Sequence, residues 1–319
     1  MSRVARQRPP LRTFQGMVTA SPVMDELFEL VRRVARTEAP VLIRGETGTG
    51  KELVARAIHH LGPRAKKPFR AINAAMLSSE LLSSELFGHV RGAFTGAVSD
   101  RPGLFAAAHG GTLFLDEIAD LPGDIQARIL RALEERTFVP VGSTEPHSAD
   151  VRFVSATHRS LRRDVEAGRF RADLMYRVRV VPLFLPPLRE RVHDIEGLTW
   201  HFIDELNARG QRHVETLEAR ARDAMLAHPW PGNVRELRNA IELAFAIGEG
   251  PTLRLRELPP ELRGEGPPID ADALELKSLE RRRIADALRA AGGRKAEAAT
   301  MLGMSRQTLW RKMRELELG

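Results

Sequence analysis

The sequence contains no cysteine, which excludes disulfides, thiolate zinc sites, iron–sulfur clusters and cysteine nucleophiles. Aromatic residues are scarce, 5% of 319 residues with a single tyrosine, and no Trp or Phe face accompanies the charged segments. That argues against a helix lying on a membrane surface. No apolar run reaches the length of about eighteen residues needed to cross a bilayer. Arg3, Arg6, Arg8 and Arg12 are followed by no apolar stretch of the kind a secretory leader carries. Residence in the cytoplasm, with no membrane partner, is the expectation. What remains, 43% hydrophobic and 29% charged residues, is the composition of a globular chain long enough for two or three domains.

The formal net charge of +7 is unevenly placed. From Lys277 onward eleven basic residues face five acidic ones, and four arginines lie in the first fifteen residues, so the body between is mildly acidic. Basic ends on such a body predict a polyanionic partner, nucleic acid before membrane.

Proline and glycine mark the boundaries. Pro186-Pro187 precedes a charged run, and Pro259-Pro260 is followed by Gly264, Gly266, Pro267 and Pro268. The expected divisions are a basic arm over 1–15, an α/β domain over 16–188, a helical domain over 189–263, a linker over 264–273 and three small helices over 274–319. In the α/β part, apolar runs at Val41 to Arg44, Phe69 to Ile72, Thr112 to Leu115, Val151 to Ser155 and Val178 to Phe184 alternate with helical segments. That pattern predicts a parallel sheet with helices on both faces. No strand-like run is found between 190 and 262.

Gly45-Glu46-Thr47-Gly48-Thr49-Gly50-Lys51-Glu52 lies between the first strand and a helix expected over 52–60. Glycines there let backbone N–H groups close on phosphates, the helix N-terminus adds positive potential, and Lys51 adds a charge. Glu52 stands where such loops usually offer a hydroxyl to Mg²⁺. Downstream, Thr112 to Leu115 ends in Asp116-Glu117. Asp116 suits Mg²⁺ held through water, and Glu117, one residue further on, suits polarising an attacking water. Together these segments predict an ATPase that uses ATP and Mg²⁺.

The segment Glu85 to Ala97 contains Gly92-Ala93-Phe94-Thr95-Gly96-Ala97, a glycine-flanked tip with one aromatic residue. With the phosphate loop and the Asp-Glu strand, it resembles the AAA+ activators of sigma-54 RNA polymerase, the bacterial enhancer-binding proteins. The resemblance runs from about Gly16 to Leu318. It implies that this loop touches sigma-54 through Phe94 and Thr95. It also implies that Asn73 restrains Glu117 until the γ-phosphate is sensed, and that Thr157 is the first sensor. His158 follows Thr157 where the family usually has Asn. Arg171 and Arg177 resemble arginine fingers given to a neighbouring subunit, and Arg235, in Trp230 to Asn239, resembles a second sensor. Fingers supplied in trans imply a closed ring, which in this family is a hexamer.

Near the C-terminus, Lys295 to Leu302, a turn at 303–305 and a helix over 306–316 read as a helix-turn-helix. Ser305 suits the cap; Leu309, Met313 and Leu316 face inward. Arg306, Gln307, Thr308, Arg311 and Lys312 fall on the stretch expected to meet upstream DNA. This part is similar to the Fis-type domain that ends many such activators. About fifteen residues precede the ATPase part, too few for a receiver or sensor domain, so regulation is expected from a separate, trans-acting protein, from expression level or from a segment outside the given sequence. Two rivals share some of these features: another AAA+ machine, which would not need the loop at 92–97, and a non-enzymatic DNA-binding repressor, which would not need Lys51, Asp116 and Glu117.

Overall fold

The computed structural model describes residues 9–210, 212–265, 284–288, 291, 295–302, 304, 308–310 and 313. They fall into two compact units that divide between Glu257 and Leu258.

In the first unit five strands form one parallel sheet: β1 (Val41–Arg44), β2 (Phe69–Asn73), β3 (Thr112–Asp116), β4 (Arg152–Thr157) and β5 (Val181–Phe184). Their order is β5-β1-β4-β3-β2. The central strands are covered on both faces, so apolar residues run on without polar alternation. The twofold period of a strand sorts them into two cores. Leu42, Leu113, Leu115 and Phe153 pack with Phe87, Phe105 and Ile129. Val41, Ile43, Phe114, Val154 and Ala156 pack with Phe28, Val31, Val54 and Ile58. Arg152 is buried in β4 because its guanidinium donates to the carbonyls of Ala35 and Val34, both at 2.8 Å, at the end of the helix Pro22–Ala35. A cation is favoured at that helix end.

Three sequence expectations are corrected. The arm assigned to 1–15 is not wholly outside the fold: Arg12–Phe14 pairs antiparallel with Met17–Thr19, and Phe14 stacks on Phe28 with centroids 4.4 Å apart. A three-residue strand is too short to show a period. The run Val178 to Phe184 is divided, with Val178 ending the helix Ala172–Val178 and the strand starting at Val181. A short apolar run does not by itself separate buried helix from strand. The helical part does contain a short parallel pair, Thr216–Leu217 with Thr252–Leu253. Arg212 ties this corner together by donating to the carbonyls of Ala244, Glu249, Gly250 and Thr252 and to the Glu257 carboxylate.

The second unit has a small apolar cluster in which Ile284, Ala287, Ala298, Ala299, Leu309 and Met313 are buried. The helix Lys295–Met301 matches the expected first helix of the pair. Residues 308–310 are helical, with Thr308 partly buried and Trp310 exposed. Ser305, Arg306, Gln307, Arg311 and Lys312 lie outside the described residues, as do 266–273 of the expected linker. Among the described residues, no helix is long and apolar enough to cross a membrane.

Candidate active site

Parallel strands leave their carboxyl ends on one edge, where ligands of open α/β sheets bind. Here the loop 45–50 leaves β1 and the helix Lys51–His60 begins directly after it. Gly48 has φ +80° and Gly50 φ +103°, a region that glycine enters at little cost. A Cβ on Gly48 would lie 2.1 Å from the Gly232 carbonyl oxygen, so the loop seats against the helical part without side chains between. Thr49 Oγ1 donates to the Glu46 carbonyl at 2.7 Å. Lys51 is buried, its Nζ donating to the Gly45 carbonyl at 3.1 Å and lying 3.3 Å from Glu117 Oε1. Glu52 is exposed and pairs with Arg56 at 2.7 Å.

The helical part clamps this loop. Asn233, fully buried, donates from Nδ2 to the Thr47 carbonyl at 3.0 Å and to Glu46 Oε2 at 3.3 Å, while its Oδ1 accepts from Leu188 N at 2.7 Å. Val234 N donates to the Gly48 carbonyl at 3.1 Å. Arg189 grips both oxygens of Glu46, at 2.6 and 2.8 Å, and thereby holds its carboxyl below the ordinary glutamate range. Arg191 donates to the Thr49 carbonyl at 3.3 Å and pairs with Asp194, whose carboxylate also accepts from Thr19 Oγ1 and Ser21 N. In the sequence Asn233 is one residue of the stretch Trp230 to Asn239 and 189–191 a charged run, with no local signal for this clamp. Asn233→Ala would leave the buried Leu188 N–H without an acceptor. The expected loss is about 2–3 kcal/mol of stability, read as a shift of the urea midpoint. An unmoved midpoint would show that these bonds carry no net stability.

At the other side of the edge, the pairing of β2 with β3 sets Asn73 opposite Asp116. Asn73 Nδ2 donates to Asp116 Oδ2 at 3.2 Å, and its Oδ1 accepts from Ala75 N at 2.9 Å. Asn73 is therefore bonded here to Asp116, with which it is level on the adjacent strand, whereas the family resemblance implies a contact with Glu117. Glu117 takes φ +52° and is held by Lys51 on Oε1 and by His158 on Oε2, with Nδ1 at 2.8 Å and the backbone N at 3.3 Å.

The adjacent carboxyls are driven apart. Burial raises the pKa of Asp116 and the neighbouring Glu117 charge raises it further, against a smaller lowering by Lys51. Burial also pushes Glu117 up, but Lys51 and His158 together outweigh it and leave its pKa below the usual value. Two carboxyls with separated proton affinities suit different roles. Thr157 sits behind the loop: its carbonyl accepts from Gly45 N at 3.2 Å and its Oγ1 accepts from Arg159 N at 3.0 Å.

Beside these groups opens a cleft of about 630 Å³, lined by polar side chains, Lys51, Asn73, Asp116, Glu117, Arg235 and Arg238, and by apolar ones, Met17, Val18, Met24, Leu198 and Phe202. The size and the mixed lining suit a nucleotide. No group of three or more His, Asp or Glu among the described residues forms a metal cluster. Asp116 keeps lone pairs beyond its bonds to Asn73 and Glu117, which fits Mg²⁺ bound by one carboxylate with phosphate and water completing its shell.

Two groups of expected residues lie elsewhere. Arg171 and Arg177 are exposed and outside the cleft lining: Arg171 pairs with Asp173 at 2.8 Å and Arg177 donates to the Leu133 carbonyl at 2.7 Å. The loop 92–97 projects from the ribbon of Gly88–His89 with Arg101–Pro102 and closes through Gly92 N on the Ala97 carbonyl at 2.8 Å. Gly92 and Gly96 take φ +82° and +103°, Ala93 is partly buried and Ala97 is buried. Phe94 is 45% exposed and meets the His89 ring edge-on at 4.9 Å, and Thr95 is exposed.

The chain matches the family model of the Sigma-54 interaction domain over residues 17–184. It matches the AAA+ ATPase lid domain over 189–274 and the Bacterial regulatory protein, Fis family, over 275–316. It is 47% identical over 300 residues to the Transcriptional regulatory protein ZraR of Escherichia coli K12, covering 93% of this chain and 68% of the relative. It is 41% identical over 327 residues to the DNA-binding transcriptional regulator NtrC of Salmonella typhimurium, covering 94% of this chain and 70% of the relative. The crystal structure of NtrX from Brucella abortus in complex with ATP is similar with a TM-score of 0.71 and 34% identity, covering 94% of this chain and 69% of that one.

Proposed function

The chain belongs to the sigma-54-dependent transcription activators, with an AAA+ ATPase domain, its lid and a Fis-type DNA-binding domain, and on that premise we propose that it hydrolyses ATP to remodel the sigma-54 holoenzyme and open a promoter. The observation that carries this reading is one sheet edge holding a phosphate loop, a buried Lys51 and the Asp116-Glu117 pair, in a chain whose exposed Phe94–Thr95 tip stands outside the cleft. Backbone N–H groups of 45–50 and Lys51 hold the phosphates, Arg235 approaches from the lid, and Glu117 accepts a hydrogen bond from the attacking water. Mg²⁺, held by Asp116, would neutralise phosphate oxygens. Arg171 and Arg177 act on the site of a neighbouring copy, which requires a homo-oligomeric ring, a hexamer in this reading. The register that binds Asn73 to Asp116 links the edge to the strand preceding the loop-bearing segment. The C-terminal domain holds the ring at upstream DNA, with 305–312 as the DNA-binding stretch.

Thr95→Ala tests the reading. The side chain is exposed and remote from the cleft lining, so ATP turnover is expected to stay at the wild-type level while activation at a sigma-54 promoter is lost. A variant that still opens the promoter would overturn the contact.

A further inference from the structure

We propose that His158 is a positioning residue for Glu117. This deepens the reading above and rests on Glu117 being the group that orients water. Four observations carry it. His158 Nδ1 lies 2.8 Å from Glu117 Oε2, and the backbone N of His158 lies 3.3 Å from the same oxygen. β3 and β4 are neighbours, Leu115 opposite Ser155, so Glu117 and His158, the residues just past their ends, lie within one register step of each other. Glu117 has left the strand direction at φ +52°. Asn73 has both ends of its amide engaged elsewhere, on Asp116 and on Ala75 N.

The chemistry follows from the donors. A carboxylate only accepts, so the Nδ1 atom must carry its hydrogen toward Oε2. Both oxygens of Glu117 are occupied, Oε1 by Lys51 and Oε2 by His158. Phosphates drawing Lys51 to themselves free Oε1 alone. Oε2 stays on His158, so the carboxylate keeps its orientation and presents one oxygen to water. His158 is half exposed and packs in neither core, so its replacement leaves the fold undisturbed. Asn places an amide nitrogen at the same number of bonds from Cα as His Nδ1, and it donates from the same spot. Ala and Phe do not donate.

The test is steady-state ATP turnover by the full chain for wild type, His158→Ala, His158→Phe, His158→Asn and Glu117→Gln. A reacting group displaced by about 1 Å loses up to roughly 100-fold in rate. His158→Ala and His158→Phe are therefore expected to lower kcat by about 10- to 100-fold with KM for ATP unchanged, and His158→Asn to recover most of it. A merely structural role would move KM and thermal stability together with kcat and would not be rescued by Asn. Wild-type kcat in His158→Ala alongside an inactive Glu117→Gln would overturn the role of His158 and leave that of Glu117 standing. Failure of Asn to rescue would overturn the hydrogen-bond basis. Turnover by Glu117→Gln itself would overturn the reading on which the proposal rests.

Discussion

Glu117→Gln is expected to lower ATP turnover by roughly 10²- to 10⁴-fold while ATP still binds. The substitution keeps the shape of the side chain and its bond to His158 but removes the negative charge that attracts a water proton. It also removes the partner that now competes for Lys51 at 3.3 Å. With Gln there, the ammonium is freer to meet phosphate, so nucleotide affinity is expected to hold or rise. Equilibrium binding of ATP and phosphate release, measured on the same preparation, separate the two effects. Turnover at the wild-type rate would remove Glu117 from the mechanism, and loss of binding would recast it as a structural partner of Lys51.

The second large effect concerns Arg171 and Arg177. An arginine that stabilises charge on the transferred phosphoryl group contributes about 10³- to 10⁵-fold in related chemistry. Neither guanidinium lines the cleft of its own chain; Arg171 pairs with Asp173 and Arg177 donates to the Leu133 carbonyl. Substituting either by Ala is therefore expected to cost turnover without touching the nucleotide-binding groups. Mixing distinguishes a supply in trans from a supply in cis. Arg171→Ala and Glu117→Gln proteins are each expected to be inactive, and an equal mixture assembled at random is expected to form intact sites at about a quarter of the junctions. A mixture as inactive as its components would rule out shared sites.

The parts legible in the sequence were those with local signals. The strand Val41–Arg44 leading into glycines and Lys51, and the apolar strand ending in Asp116-Glu117, announce themselves because strand, turn and charge follow one another within a few residues. The exposed Phe94 between two glycines was readable for the same reason. The illegible parts depend on residues far apart in the chain. Asn233 looks like a helix start until the fold brings Thr47 and Leu188 to it. The buried Arg191–Asp194 pair needs Thr19, Ser21 and Thr49 around it before its burial makes sense, because an ion pair is buried at a net cost unless further hydrogen bonds satisfy it. The contact between His158 and Glu117 depends on the fold: β3 lies between β4 and β2, and Glu117, at φ +52°, has its carboxylate on His158, which follows β4.

The proposed activity turns on hydrolysis moving the 92–97 loop against the sigma-54 holoenzyme. The measurement that meets this most directly is strand opening at a sigma-54 promoter, followed with this protein, holoenzyme and either ATP or a non-hydrolysable analogue. Opening with ATP, none with the analogue and none with Thr95→Ala in the presence of ATP is the predicted result. Stable opening with the analogue would contradict it.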